Sequence, residues 1–237
     1  MIALPLAICL HAQASHMADQ PGAIPPVSTP WLPAEATSAA RFAPQGWQVE
    51  RHLTGDLNKD GRPDLVVVLK GADPACRVTT ELASEPLDTN PRLLVVAFRT
   101  ARGYTRRVAS AAVIPRRNDP FADDPLEIGG LSIRNGVLCL RLGHWRSLGG
   151  WGTYSNKLSL RWDGAAFRLI GFDRDHLQRN SGETETLSVN FLTGKARIAT
   201  GSMQDDVEEK VLWKAVPRQA TANLETFGDG LEYEPKL

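Results

Sequence analysis

Short runs of apolar and β-branched residues, separated by turn residues, recur along the chain. Residues 65–69 and 93–98 are two such runs and are typical of buried β-strands. Asn135-Gly136, Asp163-Gly164 and Thr193-Gly194 each lie between two runs, where such dipeptides favour tight hairpin turns. The pattern therefore predicts an all-β fold built as a meander of antiparallel hairpins.

Signals for helices are few. Residues 207–216 could form a short helix, although residues 212–216 fit a strand equally well. Residues 219–228 are the best remaining candidate for one or two helical turns. Regularly spaced strands joined by hairpin turns are typical of a β-sandwich, a barrel or a propeller. The sequence has no fixed-period repeat that would distinguish these three architectures.

The N-terminus has the pattern of an export signal. Residues 2–10 are almost continuously apolar but too few to span a bilayer, and Ala12-Gln13-Ala14 has the small-x-small form of a cleavage site. We therefore predict a signal peptide over residues 1–14 and no membrane span. A mature apolar strand is the alternative, since no Lys or Arg precedes Arg41. A lipid anchor at Cys9 is disfavoured because the preceding Ile8 is bulkier than the usual small residue.

The next part of the chain is poor in groups that can build a core. Residues 19–40 are rich in Pro, Ala, Ser and Thr, which predicts a flexible linker over 15–40 and a folded domain over 41–237.

Once the signal is removed, Cys76 and Cys139 remain. In an oxidising compartment they form either a disulfide or two separate thiols, and the sequence does not decide between these states.

Charge balance narrows the classes of partner. Lys plus Arg and Asp plus Glu both number 27, which gives a formal net charge of zero. Nucleic-acid binding usually needs a basic face, and an anionic membrane surface attracts lysine-rich runs, which are absent here. The sequence therefore favours neither nucleic acid nor a membrane surface as a partner.

One acidic loop, residues 56–64, has the spacing of a calcium site. Its ligands would be the side chains of Asp56, Asn58, Asp60 and Asp64 and the carbonyl of Arg62. Gly61 falls where such a loop turns sharply, but the Glu that an EF-hand needs at position 12 is replaced by Val67. The loop therefore resembles the strand-flanked calcium loops of FG-GAP and integrin-like repeats, with a structural role for the ion. The alternative is an Asp/Asn/Gly-rich turn that binds nothing.

A second unusual segment is the glycine–aromatic loop, residues 143–154. It is longer than a hairpin needs, and it combines glycines, hydroxyls and large aromatic side chains, a composition typical of interfaces. The predicted contact residues are Ser147, Gly149, Trp151, Thr153 and Tyr154. The alternative is a turn whose aromatic residues pack inward, Trp145 above all.

Motifs of catalysis are missing. His52, His144 and His176 do not have zinc-site spacing, and the chain has no nucleophile elbow, phosphate-binding glycine loop or C-x-x-C pair. A glycosidase-type carboxylate pair stays open, because its members are identified by geometry. Asp123-Asp124 and Asp205-Asp206 are more simply solvated loop charges. We therefore predict that the protein is not an enzyme.

Together these segments resemble one family. The residues that carry the resemblance are Gly-Trp-Gln-Val-Glu (46–50), Gly-Asp-Leu-Asn-Lys-Asp-Gly (55–61), Arg-Leu-Leu-Val-Val (92–96), Phe-Arg-Leu-Ile-Gly (167–171) and Val-Asn-Phe-Leu-Thr-Gly-Lys (189–195). The chain resembles periplasmic bacterial immunity proteins that neutralise lysozyme-like effectors of a type IV secretion system used against rival bacteria. That family is similar in topology to the periplasmic inhibitors of i-type lysozyme. The resemblance implies a small β-propeller-like fold, bound calcium, a periplasmic location and a peptidoglycan hydrolase as partner.

The same resemblance assigns a role to the glycine–aromatic loop. In lysozyme inhibitors of this kind, a Ser-Gly-x-x-Tyr-like loop enters the cleft of the hydrolase. Residues 147–154 occupy a matching place, although Leu148 separates Ser147 from Gly149. The resemblance therefore implies an inhibitor; the alternatives are a calcium-stabilised module that binds cell-surface glycan or protein, and a secreted glycan hydrolase.

Overall fold

The structure is a computed structural model that describes residues 24–80, 85–204, 209–217 and 222–237. The predicted signal peptide with Cys9, the first part of the predicted linker, and Asp205-Asp206 lie outside the described residues.

The chain folds almost entirely into strands, which confirms the all-β prediction. The strands are Glu35–Ala36 (β1), Trp47–Gly55 (β2), Asp64–Gly71 (β3), Arg77–Val78 (β4), Leu87–Asp88 (β5), Arg92–Thr100 (β6), Gly103–Ser110 (β7), Gly130–Arg134 (β8), Val137–His144 (β9), Gly152–Trp162 (β10), Phe167–Gln178 (β11), Glu183–Asn190 (β12), Lys195–Ser202 (β13) and Lys210–Ala215 (β14). One α-helical turn, Pro125–Ile128 (α1), and the 3₁₀ turns Ala39–Phe42 and Pro74–Cys76 complete the regular elements. In the described part of the chain no helix has the length and apolarity needed to cross a membrane.

The predicted hairpins form where the turn residues lie. Asn135-Gly136 joins β8 to β9 with φ values of 53° and 75°, the left-handed pair that a tight hairpin turn requires. Asp163-Gly164 joins β10 to β11, and Thr193-Gly194 joins β12 to β13. Of the two helix candidates, 207–216 contains strand β14 instead, and the described residues 222–228 form turns.

The strands group into two large antiparallel sheets and a small β4–β5 ribbon. The first large sheet has five strands in the order β1-β7-β6-β3-β2, and the second has seven, running β14 to β8 in reverse sequence order. This grouping differs from the four-stranded blades of the propeller-like arrangement that the resemblance implies. β8 to β14 pair in succession within the one seven-stranded sheet. Two facing sheets are the arrangement of the sandwich that the strand spacing also allowed.

A shared hydrophobic core lies between the two sheets. Val66 and Val68 enter it from β3, and Leu138, Leu140 and Leu142 enter it from β9 at every second position. This alternation is the period-2 pattern of a strand with one buried face. We call the face of the seven-stranded sheet that carries this core its inner face.

The folded domain begins before residue 41, where the composition placed its boundary. The far face of the five-stranded sheet carries Leu65 and Val67, which pack against Leu32 and Phe42. β1 pairs with β7 within the predicted linker. Composition missed this contact because Leu32 and one short edge strand attach a segment that is otherwise rich in Pro, Ala, Ser and Thr.

The two described cysteines are free thiols, so the predicted disulfide alternative is not what the structure shows. Cys76 is buried, and Cys139 lies on β9 with its sulfur 3.9 Å from the Ser159 hydroxyl. Cys76 ends the 3₁₀ turn before β4, whereas Cys139 lies in the seven-stranded sheet, so each thiol has its own surroundings.

Candidate functional site

The acidic loop joins β2 to β3 and turns its oxygens inward. The backbone N–H of Asp60 donates to Oδ1 of Asp56 at 3.1 Å and to Oδ1 of Asn58 at 3.0 Å. Gly61 has a φ of 82° and donates its N–H to Oδ2 of Asp56 at 3.0 Å. Two of the predicted ligands therefore converge on one point inside the turn, and a glycine supplies the left-handed residue that closes it.

The carboxylate of Asp60 lies on the exposed side of the same turn. Its Oδ1 accepts the N–H of Arg62 at 2.9 Å, and this bond is the main reason why the pKa of Asp60 lies below its ordinary value. Its Oδ2 accepts from the Asn58 amide at 3.1 Å and lies 3.4 Å from the Arg62 guanidinium. That ion pair is exposed and contributes little to stability.

Asp64 is buried and acts as an anchor for the loop. Its Oδ2 accepts the N–H groups of Leu57 at 2.9 Å and Asn58 at 3.2 Å, and its Oδ1 accepts the N–H of Arg99 at 2.9 Å. Burial raises the pKa of Asp64, although these backbone hydrogen bonds oppose the shift. The structure thus gives this predicted ligand a positioning role that ties the loop to the end of β6.

The acidic loop lies where the two sheets meet. Leu57, inside the loop, is buried in the shared core. A Cβ at Gly55 would lie 2.7 Å from Ile133 of β8, and one at Gly136 would lie 3.3 Å from the Lys59 side chain. Stabilising this loop therefore stabilises the junction of the sheets.

The donors of the loop fit a hard cation. No group of three or more His, Cys, Asp or Glu side chains suited to a metal occurs among the described residues. The predicted set also uses an amide and a backbone carbonyl, and carboxylate, amide and carbonyl oxygens are the ligands that calcium takes. The residues that could hold the ion are Asp56, Asn58, Asp60 and Arg62, with Asp64 behind them.

The glycine–aromatic loop is held in shape by one arginine. The guanidinium of Arg179 donates to the carbonyl oxygens of Arg146 at 2.6 Å, Gly150 at 2.8 Å and Trp151 at 3.2 Å. The same guanidinium lies over the rings of Trp145, at 5.0 Å, and Trp151, at 5.8 Å. These contacts pair the carbonyls of the turn and leave it with little freedom to change shape.

A second contact supports the loop from the segment before α1. Arg146 pairs with Asp119 at 2.7 Å. Ser147 donates its N–H to the Phe121 carbonyl at 2.9 Å and its hydroxyl to the same oxygen at 3.3 Å. The Ser147 hydroxyl therefore binds its own chain.

The other two predicted hydroxyl residues lie on β10. Thr153 donates its hydroxyl to the His144 carbonyl at 2.8 Å. Tyr154 stacks on the His144 ring with centroids 4.8 Å apart and packs against the shared core, and burial raises its pKa. Both residues therefore shape the base of the loop.

The exposed part of the loop is its apolar tip. Leu148 and Trp151 are each 60% exposed, and Gly149 between them has a φ of 84°. The sequence pattern identified Trp151 and Gly149 but did not indicate Leu148 or Arg179. Arg179 lies 28 residues from Trp151, so no local pattern connects the two.

Titration of His144 should make the stability of this region pH-dependent. Burial, followed by the positive charge of Arg146, lowers the pKa of His144. As pH falls, His144 is protonated in the unfolded chain before it is protonated in the folded protein. The contribution of neutral His144 to folding stability is therefore complete above the ordinary histidine pKa of about 6.5. It is lost as pH falls through the lowered pKa of the folded state. We expect the melting temperature of the wild type to fall more steeply from about pH 7 to about pH 5 than that of His144→Gln. Equal slopes in the two proteins would contradict this role.

Comparison with known proteins identifies no relative. No family model matches the chain, and neither curated proteins nor solved structures match it significantly.

Proposed function

We propose that this chain is an exported, non-catalytic immunity protein of the bacterial periplasm that inhibits a lysozyme-like peptidoglycan hydrolase. The observation that carries the proposal is the glycine–aromatic loop with its exposed tip, Leu148 and Trp151, on a base clamped by Arg179. A rigid apolar tip is suited to enter a cleft, because little conformational entropy is lost on binding.

The residues of the loop would have roles that differ from those implied by the resemblance. Trp151 and Leu148 would make the contact with the hydrolase, since they are the exposed apolar side chains of the turn. Ser147, Thr153 and Tyr154 would hold its shape through the contacts described above. The inhibition would be steric, because a tryptophan buried in the cleft excludes the glycan strand without any reaction.

We propose calcium as the ion of the acidic loop. Two converging oxygens, from Asp56 and Asn58, support this assignment, with the carboxylate of Asp60 beside them. A cation there would offset the repulsion between the carboxylates and stabilise the junction of the sheets. Its role would be structural, since the acidic loop and the glycine–aromatic loop belong to separate segments of the fold.

Trp151→Ala should weaken inhibition by roughly 30-fold or more, because a central aromatic contact residue typically contributes at least about 2 kcal/mol to binding. The measurement is the inhibition constant against a lysozyme-like hydrolase encoded beside this chain's gene, with purified peptidoglycan as substrate. Trp31→Ala is the matched control, since Trp31 is 80% exposed but lies far along the chain from the loop. Tyr154→Phe should leave inhibition almost unchanged, because it keeps the stacked ring.

Inhibition that is absent in the wild type, or equal in Trp151→Ala and Trp31→Ala, would contradict the proposal.

The second candidate is a calcium-stabilised module that binds cell-surface glycan or protein. This second candidate would be favoured if the protein bound such a ligand and did not inhibit the hydrolase.

A further inference from the structure

The outer face of the seven-stranded sheet, opposite its inner face, carries basic side chains where β8, β9 and β10 pair. Leu138 and Leu140 on β9 point to the shared core, so the residues between and beside them point outward. Paired residues on neighbouring strands share a face, which places three cross-strand rows there. These rows are Gly130, Arg141 and Lys157; Ser132, Cys139 and Ser159; and Arg134, Val137 and Arg161.

A shallow cleft of about 360 Å³ lies over these rows. Its lining includes Ser132, Cys139, Arg134, Arg141 and Lys157, and no described carboxylate belongs to it. The middle row has only short hydroxyl and thiol side chains, whereas long basic side chains stand in the rows on either side. The two outer rows are four residues apart along β8, or about 13 Å, so the cleft is an opening between two basic rows.

A cation from the five-stranded sheet stands at one end of the cleft. A Cβ on Gly130 would lie 3.9 Å from Nη1 of Arg51, which belongs to β2. Gly130 thus leaves the place of a side chain open beside Arg141, and the guanidinium of Arg51 lies next to that opening. Both sheets therefore contribute positive charge to the same place.

Two of these cations are close neighbours although both are positive. Arg141 and Lys157 lie directly opposite each other on β9 and β10, an arrangement of like charges that costs stability. Arg141 pairs with Asp175 at 2.9 Å and Lys157 with Asp173 at 3.0 Å. Both pairs are largely exposed, and both carboxylates lie outside the lining of the cleft.

The other cations of this surface have no such partner. Arg51, Arg134 and Arg161 make neither an ion pair nor a side-chain hydrogen bond with any residue that the structure describes. Five cations therefore face two carboxylates, although the whole chain has a formal net charge of zero. A cleft lined by charge of one sign raises the local concentration of ions of the other sign.

We propose that this cleft binds a small molecule through its phosphate group. A guanidinium donates two parallel hydrogen bonds to phosphate oxygens, and the hydroxyl of Ser132 is a further donor. A phosphate monoester carries a charge of about −1.5 to −2 at pH 7, so it offsets more of the positive excess than one carboxylate does. The volume is in the range of small-molecule sites. None of the residues considered for calcium or for the inhibitory contact lines this cleft.

The test is calorimetric titration of the purified full chain with glycerol 3-phosphate in about 150 mM NaCl, which screens non-specific attraction between exposed charges. We expect saturable binding, with inorganic phosphate competing for the site and lactate, a carboxylate of similar size, binding more weakly. Arg134→Gln should weaken binding about tenfold or more, because a charged hydrogen bond to the phosphate is lost. Arg102→Gln is the matched control, since it removes the same charge from an exposed turn of the five-stranded sheet and should bind like the wild type.

Alkylation of Cys139 provides a second readout that locates the ligand. Cys139 is a half-buried free thiol in the lining, whereas Cys76 is fully buried. Saturating glycerol 3-phosphate should slow the reaction of Cys139 with iodoacetamide in the wild type and in Arg102→Gln. The same concentration should protect Cys139 much less in Arg134→Gln.

Absence of saturable binding of glycerol 3-phosphate and of inorganic phosphate at about 10 mM would overturn the proposal. Equal affinity of Arg134→Gln and Arg102→Gln would overturn it as well, and so would lactate that binds as tightly as glycerol 3-phosphate. Arg134 is exposed, so Arg134→Gln should melt like the wild type, which separates lost binding from lost folding. No hydrolase is present in this experiment, so its outcome is independent of the inhibition assay.

Discussion

Arg92→Leu should lower the free energy of unfolding by about 3–5 kcal/mol, because it leaves the buried Asp124 and the partly buried Glu50 without their arginine partner. Arg92 on β6 is only 2% exposed. It binds Glu50 through two hydrogen bonds of 2.6 and 2.7 Å and Asp124 through one of 2.7 Å. Burial by itself lowers the pKa of Arg92, but the hydrogen bonds that it donates to these two carboxylates outweigh burial and raise the pKa.

The position of Arg92 explains the size of the expected loss. Glu50 lies at the irregularity where the β2–β3 register shifts between Val49 and Arg51. Asp124 also accepts the N–H of Leu126 at 3.0 Å and so caps α1. The arginine therefore joins three separate segments, and Arg92→Leu would weaken all of them.

Equilibrium unfolding in urea measures the change. Arg141→Leu is the matched control: its pair with Asp175 has side chains that are 50% and 59% exposed, and its loss should cost less than about 1 kcal/mol. A loss in Arg92→Leu no larger than that of the control would show that the buried network contributes little.

Calcium at about a hundred times its dissociation constant should raise the free energy of unfolding by about 2.7 kcal/mol. The reason is linkage: the folded acidic loop presents its oxygens together, whereas the unfolded chain does not. Asp56→Ala should remove most of this response, since both oxygens of Asp56 lie inside the turn. Melting curves with calcium and with a chelator provide the measurement.

Asp163→Ala is the control that matches Asp56→Ala. Asp163 also precedes a turn and accepts two backbone N–H groups, from Ala165 and Ala166, but it stands outside the acidic loop. The variant should keep the full calcium response. Identical melting of the wild type with calcium and with chelator would show that the loop is an Asp-rich turn without an ion. Magnesium should replace calcium poorly, because it demands stricter octahedral geometry.

Much of the local structure was predictable from the sequence alone. Asn135-Gly136 and Asp163-Gly164 predicted hairpins because turn conformation depends on the residues of the turn itself. Short runs of apolar and β-branched residues predicted strands, because the preference for an extended backbone also depends on neighbouring residues. The spacing of Asp56, Asn58 and Asp60 likewise predicted oxygens on one side of a turn, and the structure brings two of these side chains to one backbone N–H.

The tertiary structure decided everything that depends on residues distant along the chain. Local sequence patterns could not predict the contact of Arg92 with Glu50, 42 residues away along the chain. Nor could they predict the packing of Leu32 and Phe42 against the five-stranded sheet. The same applies to Arg179, which turns a glycine-rich segment into a rigid tip. Turn chemistry and strand periodicity act between neighbours, so they determined the elements. The grouping of strands into two sheets and the exposure of Trp151 come from register and packing between elements, which only the folded chain establishes.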